Sequence, residues 1–569
     1  MKSTSCWLPS CTLVSIVAGI TPTAHAYQVP ASLPNLPSSS TLLRNNPELA
    51  TPIGPRRHDD VKHDPARAPL DAPHGKTSDA VEVTRIVVEN VPDVARAAVA
   101  TVVDPHAGER LTLAQLRAIA VRVTAVLSAY GESLSYASIP PQEIRDGVVR
   151  LRVVKGRLES AMLGKNDSLV SDEVVRRYVR RAARRMDDLS GMESALLRLA
   201  DLPGVGEVSP VLSAGNAPGS SAMTIDAGAS SRAELLALAD NTGSTVSGRN
   251  RIGLQLSVNS PLRVGDRLQA IAFVSPDFLQ LNGDSNGGIT TVGRLSYDVP
   301  VNAMNTRMGA TVSRVDYTLG GKYRDVGVGY ANVFGFYATH PLIRTRFNNL
   351  ELGVGLDYKE MRDSLVGNVN KRTARVMNVR LSGDHALALL GMTTAVEYQF
   401  GLNYGQLHNS DEFYGAMTRG SFLKATQNIV FTQGIRRGVY VQLSVTAQQT
   451  SRNLDGAEKM VLGGPNAVRG YGNDTVSADM GVVASATLNM AVPKVNGLTL
   501  QAFYDIAQAR AQKFGRWPAR AELSGYGVGA SYAINKRAFM SISAARPNGH
   551  TELGQRPSGQ VWVSMAVRI

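Results

Sequence analysis

Arg469 lies in the glycine-rich stretch MVLGGPNAVRGYGND, Met460 to Asp474, with Val468 and Tyr471 beside it. A solvated loop accounts for the glycines but not for apolar neighbours around a charged side chain. A guanidinium held among such neighbours needs an acid, because an unpaired charge out of water is too costly to keep. Asp505, on the polar side of the later alternating stretch Leu498 to Ala507, is the best candidate. The chemistry of such a pair is mechanical: a bidentate guanidinium–carboxylate contact pins a loop to a wall.

Other constellations are weaker. His58 and His63 in HDDVKH have metal-ligand residue types, but they sit in a proline-rich segment with no fixed geometry, so no metal is expected. Gly327-Val328-Gly329 and Gly525 to Gly529 imitate nucleotide loops, yet no βαβ unit follows them; small residues at strand kinks are the simpler reading. There is no H-E-x-x-H or C-x-x-C, and neither an enzyme nor a cofactor is expected. Arg176, Arg177, Arg180, Arg181, Arg184 and Arg185 fall on one side of a helical pattern. Such a face is a solvated surface, or a contact for an acidic substrate segment or lipid headgroups.

The elements that must position these residues follow from composition and periodicity. The chain has 569 residues, 53 of them glycine, and only 6% are aromatic. Its mean hydropathy of −0.08 is far below that of a helical membrane protein. Lys2, the apolar run Thr12 to Ile20 and Ala24-His25-Ala26 have the order of a secretory signal, expected over residues 1–26. Both cysteines, Cys6 and Cys11, fall inside it, which fits export to an oxidising compartment. The formal charge is +13, and removal of a segment whose only charge is Lys2 leaves +12. Export makes nucleic acid an improbable partner for this basic chain.

Residues 27–80 read as a proline-rich linker in which SSTLLRNNPELA can form a short helix. From Val81 the texture turns mixed α/β. Val81 to Val88 reads as a strand, and Leu113, Leu116, Ile119, Val123, Leu127 and Tyr130 recur at helical spacing after Thr112. Val148 to Val154 closes a first unit, placed at 81–165. A second unit, 166–228, holds the arginine-bearing helix, a helix over Met192 to Leu202 and the turn DLPGV.

From about Ala229 to Ile569, sixteen strand-like segments of roughly ten residues recur, and Val561, Val563, Met565, Val567 and Ile569 share one face of the last. An even number of such strands with one apolar face predicts a transmembrane antiparallel barrel, since lipid allows no open sheet edge. If the first strand leaves the periplasm, gaps after even strands should be short, and Arg436 to Gly438 and Asn535 to Arg537 are. The loop 451–477 then follows the eleventh strand on the outside and is long enough to fold back into the lumen.

The pairing of VRGY (Val468, Arg469, Gly470, Tyr471) with FYDIA (Phe503 to Ala507) resembles the paired motifs of two-partner secretion transporters of type V secretion, the haemolysin-activator and filamentous-haemagglutinin-transporter type. IPPQEIRDGVVRLRVVKGRL, with Pro141, Gln142 and Gly147, resembles the end of their first POTRA domain; LLRLADLPGV, with Asp201, Leu202, Pro203 and Gly204, resembles the second. The resemblance implies a mainly β fold: a 16-stranded transmembrane barrel preceded by two small α/β POTRA domains in the periplasm. It implies a loop arginine, Arg469, facing the wall aspartate of an F-x-D-x-G motif, Phe503 and Asp505. Ala507 stands where that motif has glycine. It also implies a Gram-negative outer-membrane transporter whose POTRA domains recognise an unfolded partner exoprotein: an adhesin, a haemolysin or a contact-dependent toxin. Lipid surrounds the barrel, which is expected as a monomer. An outer-membrane assembly factor shares the arginine loop but typically has more POTRA units, and a passive porin needs no periplasmic part of this size.

Overall fold

A computed structural model describes residues 38–46 and 80–569, apart from 131–134, 155–156, 186–188, 218–219, 281–286, 390–391, 413–415, 516–519, 536 and 549–557. The signal segment and the His58/His63 pair lie outside the described residues. No described helix is long and apolar enough to cross a membrane. The barrel crosses with strands instead.

In the first unit, β1 (Val81–Val83) pairs with β3 (Glu109–Leu111), while β2 (Arg85–Glu89), β5 (Val148–Val154) and β4 (Tyr136–Ser138) form a three-stranded sheet in the order β2-β5-β4. The strand expected over 81–88 is therefore broken at Thr84, whose amide donates to Gly147 O at 2.8 Å. Helix α3 (Leu113–Ala129) buries Leu116, Ile119, Val123 and Leu127 against this sheet. Leu113 and Tyr130, grouped with them by spacing, are 40% and 51% exposed, because they fall at helix ends where the sheet no longer covers them. Helix α2 (Arg96–Val103) escapes the sequence reading because its short β-branched pattern carries no strong helical period.

The second unit begins earlier than expected. β6 (Arg157–Asn166), read as the end of the first unit, pairs in parallel with β8 (Ser220–Ala227), which also pairs with β7 (Val208–Ala214). Helices α4 (Asp172–Ala183) and α5 (Leu189–Ala200) cover this sheet; Val174, Val175, Tyr178, Val179 and Ala182 are buried between.

The barrel closes with sixteen antiparallel strands, from Ala233–Asp240 to Gln560–Arg568, the last pairing with the first through Ser564↔Asp240 to Arg568↔Leu236. Side chains alternate as period two requires. In the thirteenth strand, Leu498–Arg510, Leu500, Tyr504 and Ile506 face outward, and Phe503, Asp505, Ala507 and Ala509 face inward. The sixth to ninth strands are 18, 18, 22 and 18 residues long, not roughly ten. Strands seven and eight meet at a two-residue turn, Val366-Gly367, on the side expected outside the cell. A membrane crossing needs only ~9–11 residues. At that end the ladder carries the polar Asn368, Asn370 and Lys371, and Asn370 Nδ2 donates to Asp411 O at 3.1 Å.

Two segments occupy the lumen. Helix α1 (Ser39–Asn45) is capped by Ser38, which exchanges hydrogen bonds with Thr41; the short helix expected in the linker is here, between barrel walls, with Leu42 and Leu43 buried beside Phe273, Val315 and Leu454. The second segment is the loop after the eleventh strand (Val439–Thr450), folded inward and braced by a small ladder, Met460–Val461 with Ser477–Ala478.

Candidate functional site

The loop tip meets the wall through Arg469. Its Nε donates to Asp505 Oδ2 at 2.8 Å, its Nη2 to Asp505 Oδ1 at 2.6 Å, and its backbone N–H to Asp505 Oδ2 at 3.0 Å. Nη2 also reaches Ser485 Oγ at 2.9 Å and Thr487 Oγ1 at 3.2 Å, while Ser485 donates to Asp505 at 2.7 Å. The guanidinium carbon lies 3.3 Å from the centre of the Phe503 ring. Asp505 is fully buried, so this pair works in a low dielectric where geometry governs its strength.

The flanking motif residues explain the apolar surround. Val468 and Tyr471 are fully buried with Leu462, Val483 and Leu523, which shields the ion pair from water on that side. Gly470 presses on the fifteenth strand, Ala538–Pro547: a Cβ there would lie 2.8 Å from Pro547 N. Ala507, in place of the family's glycine, fits because its methyl lies in the same apolar cluster.

Sequence reasoning missed four supporting positions. Trp562 Nε1 donates to Arg469 O at 2.8 Å from the last strand. Ser485 and Thr487 come from the twelfth strand, Met480–Ala491. Gly525 lies against the tip: a Cβ there would stand in ordinary contact with it, 3.4 Å from Gly470 N and 3.5 Å from Val468 Cγ1, and more tightly, at 3.1 Å, against Arg546 O of the next strand. The available signal was the run Gly525, Gly527 and Gly529 on one face of one strand; a bare face marks a close approach. The spacing G-x-S-x-G occurs at Gly283–Gly287, mostly outside the described residues, and a strand follows it rather than the helix a nucleophile elbow requires.

Further ion pairs hold the same loop. Glu458 lies between Lys359 and Lys424, 2.5 Å from each. Lys459 pairs with Asp479 at 3.0 Å. Arg372 joins all three parts of the lumen: it pairs with Asp455 of the loop at 2.7 Å and with Asp363 of the wall, and it donates to Ser40 Oγ of α1 at 3.0 Å. Asp363 in turn accepts from Ser39 N at 2.7 Å, at the positive end of the helix. Arg44 and Asn45 reach Gly456 O and Asp474 at 3.3 and 3.1 Å.

The POTRA motif residues lie elsewhere. Gln142 mimics a strand: its Oε1 accepts from Arg150 N and its Nε2 donates to Arg150 O, both at 2.8 Å, extending the edge of β5 where β4 stops. Pro141 lines a groove beside α3. Gly147 has φ +70° and a Cβ there would lie 2.8 Å from Thr84 N. Asp201, Leu202, Pro203 and Gly204 form the joint between the second unit and the barrel. Arg344 of the sixth strand grips Asp201 at 2.7 and 2.8 Å, Ser260 donates to Pro203 O at 2.8 Å, and Leu202 is buried against Gly265. In these periplasmic units, the Arg150 and Arg152 guanidiniums lower the Glu89 pKa. Hydrogen bonds from Ser220 and Asn216 push Glu159 down to about 2. Burial lowers Arg198, and Arg181 beside it lowers it further.

A family profile described as haemolysin secretion/activation protein ShlB/FhaC/HecB matches residues 219–532, more than half of the chain, and a POTRA domain profile of ShlB type matches residues 81–156. The chain belongs to this family. Among its relatives, the heme/hemopexin transporter protein HuxB of Haemophilus influenzae strain 86-028NP is 24% identical over 498 residues, spanning 84% of this chain and 86% of the relative. The solved structure of CdiB from Escherichia coli superposes with a TM-score of 0.62 at 20% identity, covering 88% of this chain and 93% of that one. BamA from Haemophilus ducreyi, solved without POTRA domains 1–3, gives a TM-score of 0.54 at 12% identity over 86% of this chain and all of that one; this shows the fold alone. The chain is thus a two-partner secretion transporter of the outer membrane, with POTRA domains ahead of a 16-stranded barrel.

Proposed function

We propose that this transporter exports a large, unfolded partner exoprotein, an adhesin, a haemolysin or a contact-dependent toxin, which its first POTRA domain captures as an extended segment. The observation that carries this reading is an edge beside a groove. Among the described residues β4 pairs only with β5, so no strand covers its outer edge, where Ala137 N–H is held at 3.0 Å by Thr124 Oγ1 of α3, a side-chain partner that an incoming strand can replace, and between it and α3 lies a groove of about 640 Å³ lined by Leu116, Val121, Ala137, Ile139 and Pro141. An added strand would take main-chain hydrogen bonds from the edge and seat alternate apolar side chains in the groove, whatever its detailed sequence.

In this reading the lumen is closed at rest by α1 and the loop, and both must yield before a chain passes. Arg469 and Asp505 hold the loop tip, while Arg372 ties loop, helix and wall together. The protein acts as a monomeric barrel surrounded by outer-membrane lipid and catalyses no bond chemistry. Folding of the exported chain outside supplies the direction. Deleting residues 81–156 should abolish export of the exoprotein while leaving a heat-modifiable barrel in the membrane, since the two parts have separate cores. Unchanged export by an inserted deletion would move recognition elsewhere.

A further inference from the structure

Helix α4 has two chemically opposite sides. Val174, Val175, Tyr178, Val179 and Ala182 are buried in the second POTRA domain, whereas Arg176, Arg177, Arg180, Arg184 and Arg185 are exposed and Arg181 is half-exposed. Asp172 pairs with Arg176 at 3.1 Å and Glu173 with Arg177 at 3.7 Å. Five arginines against two acids between Asp172 and Arg184 leave three positive charges on this surface.

The position of the helix decides what the charge meets. At its start, Ser171 N donates to Arg263 O at 2.9 Å, in the turn between the second and third barrel strands. Seven residues on, Tyr178 OH donates to Asn302 O at 3.1 Å, in the turn between the fourth and fifth. Arg181 then lies within electrostatic range of Arg198, which donates to Pro341 O at 3.3 Å, and of His340 on the sixth strand. The helix therefore runs along the periplasmic rim from one turn to the next.

The rim at that point is its outer perimeter. In the sixth strand, Gly327–Arg344, Phe334 and Phe336 face outward, and His340 has their parity. Met308, also outward, is paired with Ala338 of the same parity. Leu262, Val301 and Phe347, on three successive periplasmic turns, are apolar and 68%, 48% and 63% exposed, as anchors at a membrane boundary would be. The arginines thus stand next to the lower edge of the lipid-facing band.

We propose that the arginine face of α4 docks on anionic phospholipid headgroups of the periplasmic leaflet, so that the second POTRA domain is held by the membrane as well as by the barrel rim. Guanidinium forks match phosphate oxygens, and several arginines along one tangent can each take a separate headgroup. A passing acidic chain is the lesser fit, because the face borders the outside of the barrel rather than the mouth of its lumen.

The test uses the full-length transporter in bilayer nanodiscs of phosphatidylcholine with a minor fraction of phosphatidylglycerol, extracted gently and weighed by native mass spectrometry. Wild type should retain phosphatidylglycerol well above its share of the bilayer. The quadruple variant Arg177→Gln, Arg180→Gln, Arg181→Gln, Arg184→Gln should lose that enrichment, by roughly fivefold for each arginine in contact at low salt. The matching set of Arg→Lys changes should keep most of it. Heat-modifiable mobility in all three reports that the barrel is folded. Equal enrichment in wild type and the glutamine variant overturns the proposal. Loss of exoprotein export with unchanged lipid retention also overturns it and assigns the face to an acidic stretch of the cargo.

Discussion

Replacing Arg469 with alanine removes both side-chain bonds to Asp505, the contacts to Ser485 and Thr487, and the stacking on Phe503. Asp505 is fully buried and the Arg469 side chain only 13% exposed, so the loss is that of a desolvated pair, ~3–5 kcal/mol. Asp505 would keep two donors, the backbone N–H of residue 469 and Ser485, which places the cost near the lower end. About 3 kcal/mol corresponds to a shift on the order of a hundredfold in the tip's opening equilibrium. Hydrogen exchange reads that equilibrium directly. The amides of Val468, Arg469 and Tyr471, bonded to Leu462 O, Asp505 and Val468 O, should exchange on the order of a hundredfold faster, with amides in the sixth to ninth strands unchanged. Asp505→Ala should resemble Arg469→Ala, and the double variant should be little worse than either. Arg469→Lys should recover less than half of the loss, because a point charge cannot fork or reach Ser485 and Thr487 together. Strictly additive losses, or unchanged exchange at the tip, would refute the reasoning.

The joint between the second POTRA domain and the barrel should be equally brittle. Arg344→Ala leaves Asp201, 7% exposed, without its bidentate partner, and the distance distribution between spin labels on α4 and the sixth strand should broaden; an unchanged distribution would show that the other contacts suffice. Glu159 gives a pH dependence. Its folded pKa of about 2 lies below the usual carboxylate value of ~4.3, so its contribution is present above ~4.3 and is lost as pH falls through about 2. Amide protection at Asn216, corrected for intrinsic exchange, should therefore fall across that window, and Glu159→Gln should flatten the fall.

The sequence by itself determined the barrel and its contents in outline. Period-two alternation over 229–569 gave sixteen strands whose cores match those observed, and short even gaps fixed the orientation, because a lipid face and a lumen face must alternate along every strand. It also singled out Arg469 and Asp505, since a charge among apolar residues demands a partner. Local patterns did not determine where pairing stops or which sheet a strand joins. The long sixth to ninth strands continue as a ladder past the lipid, and Arg157–Asn166 joins β8 rather than the domain before it; both follow from partners distant in sequence. Nor did the chain announce that Ser485, Thr487, Gly525 and Trp562 would converge on one loop tip from three strands, or that Asp201 would meet Arg344. Those contacts exist only because the barrel closes and brings separate segments of backbone within hydrogen-bond reach, a decision made by tertiary structure alone.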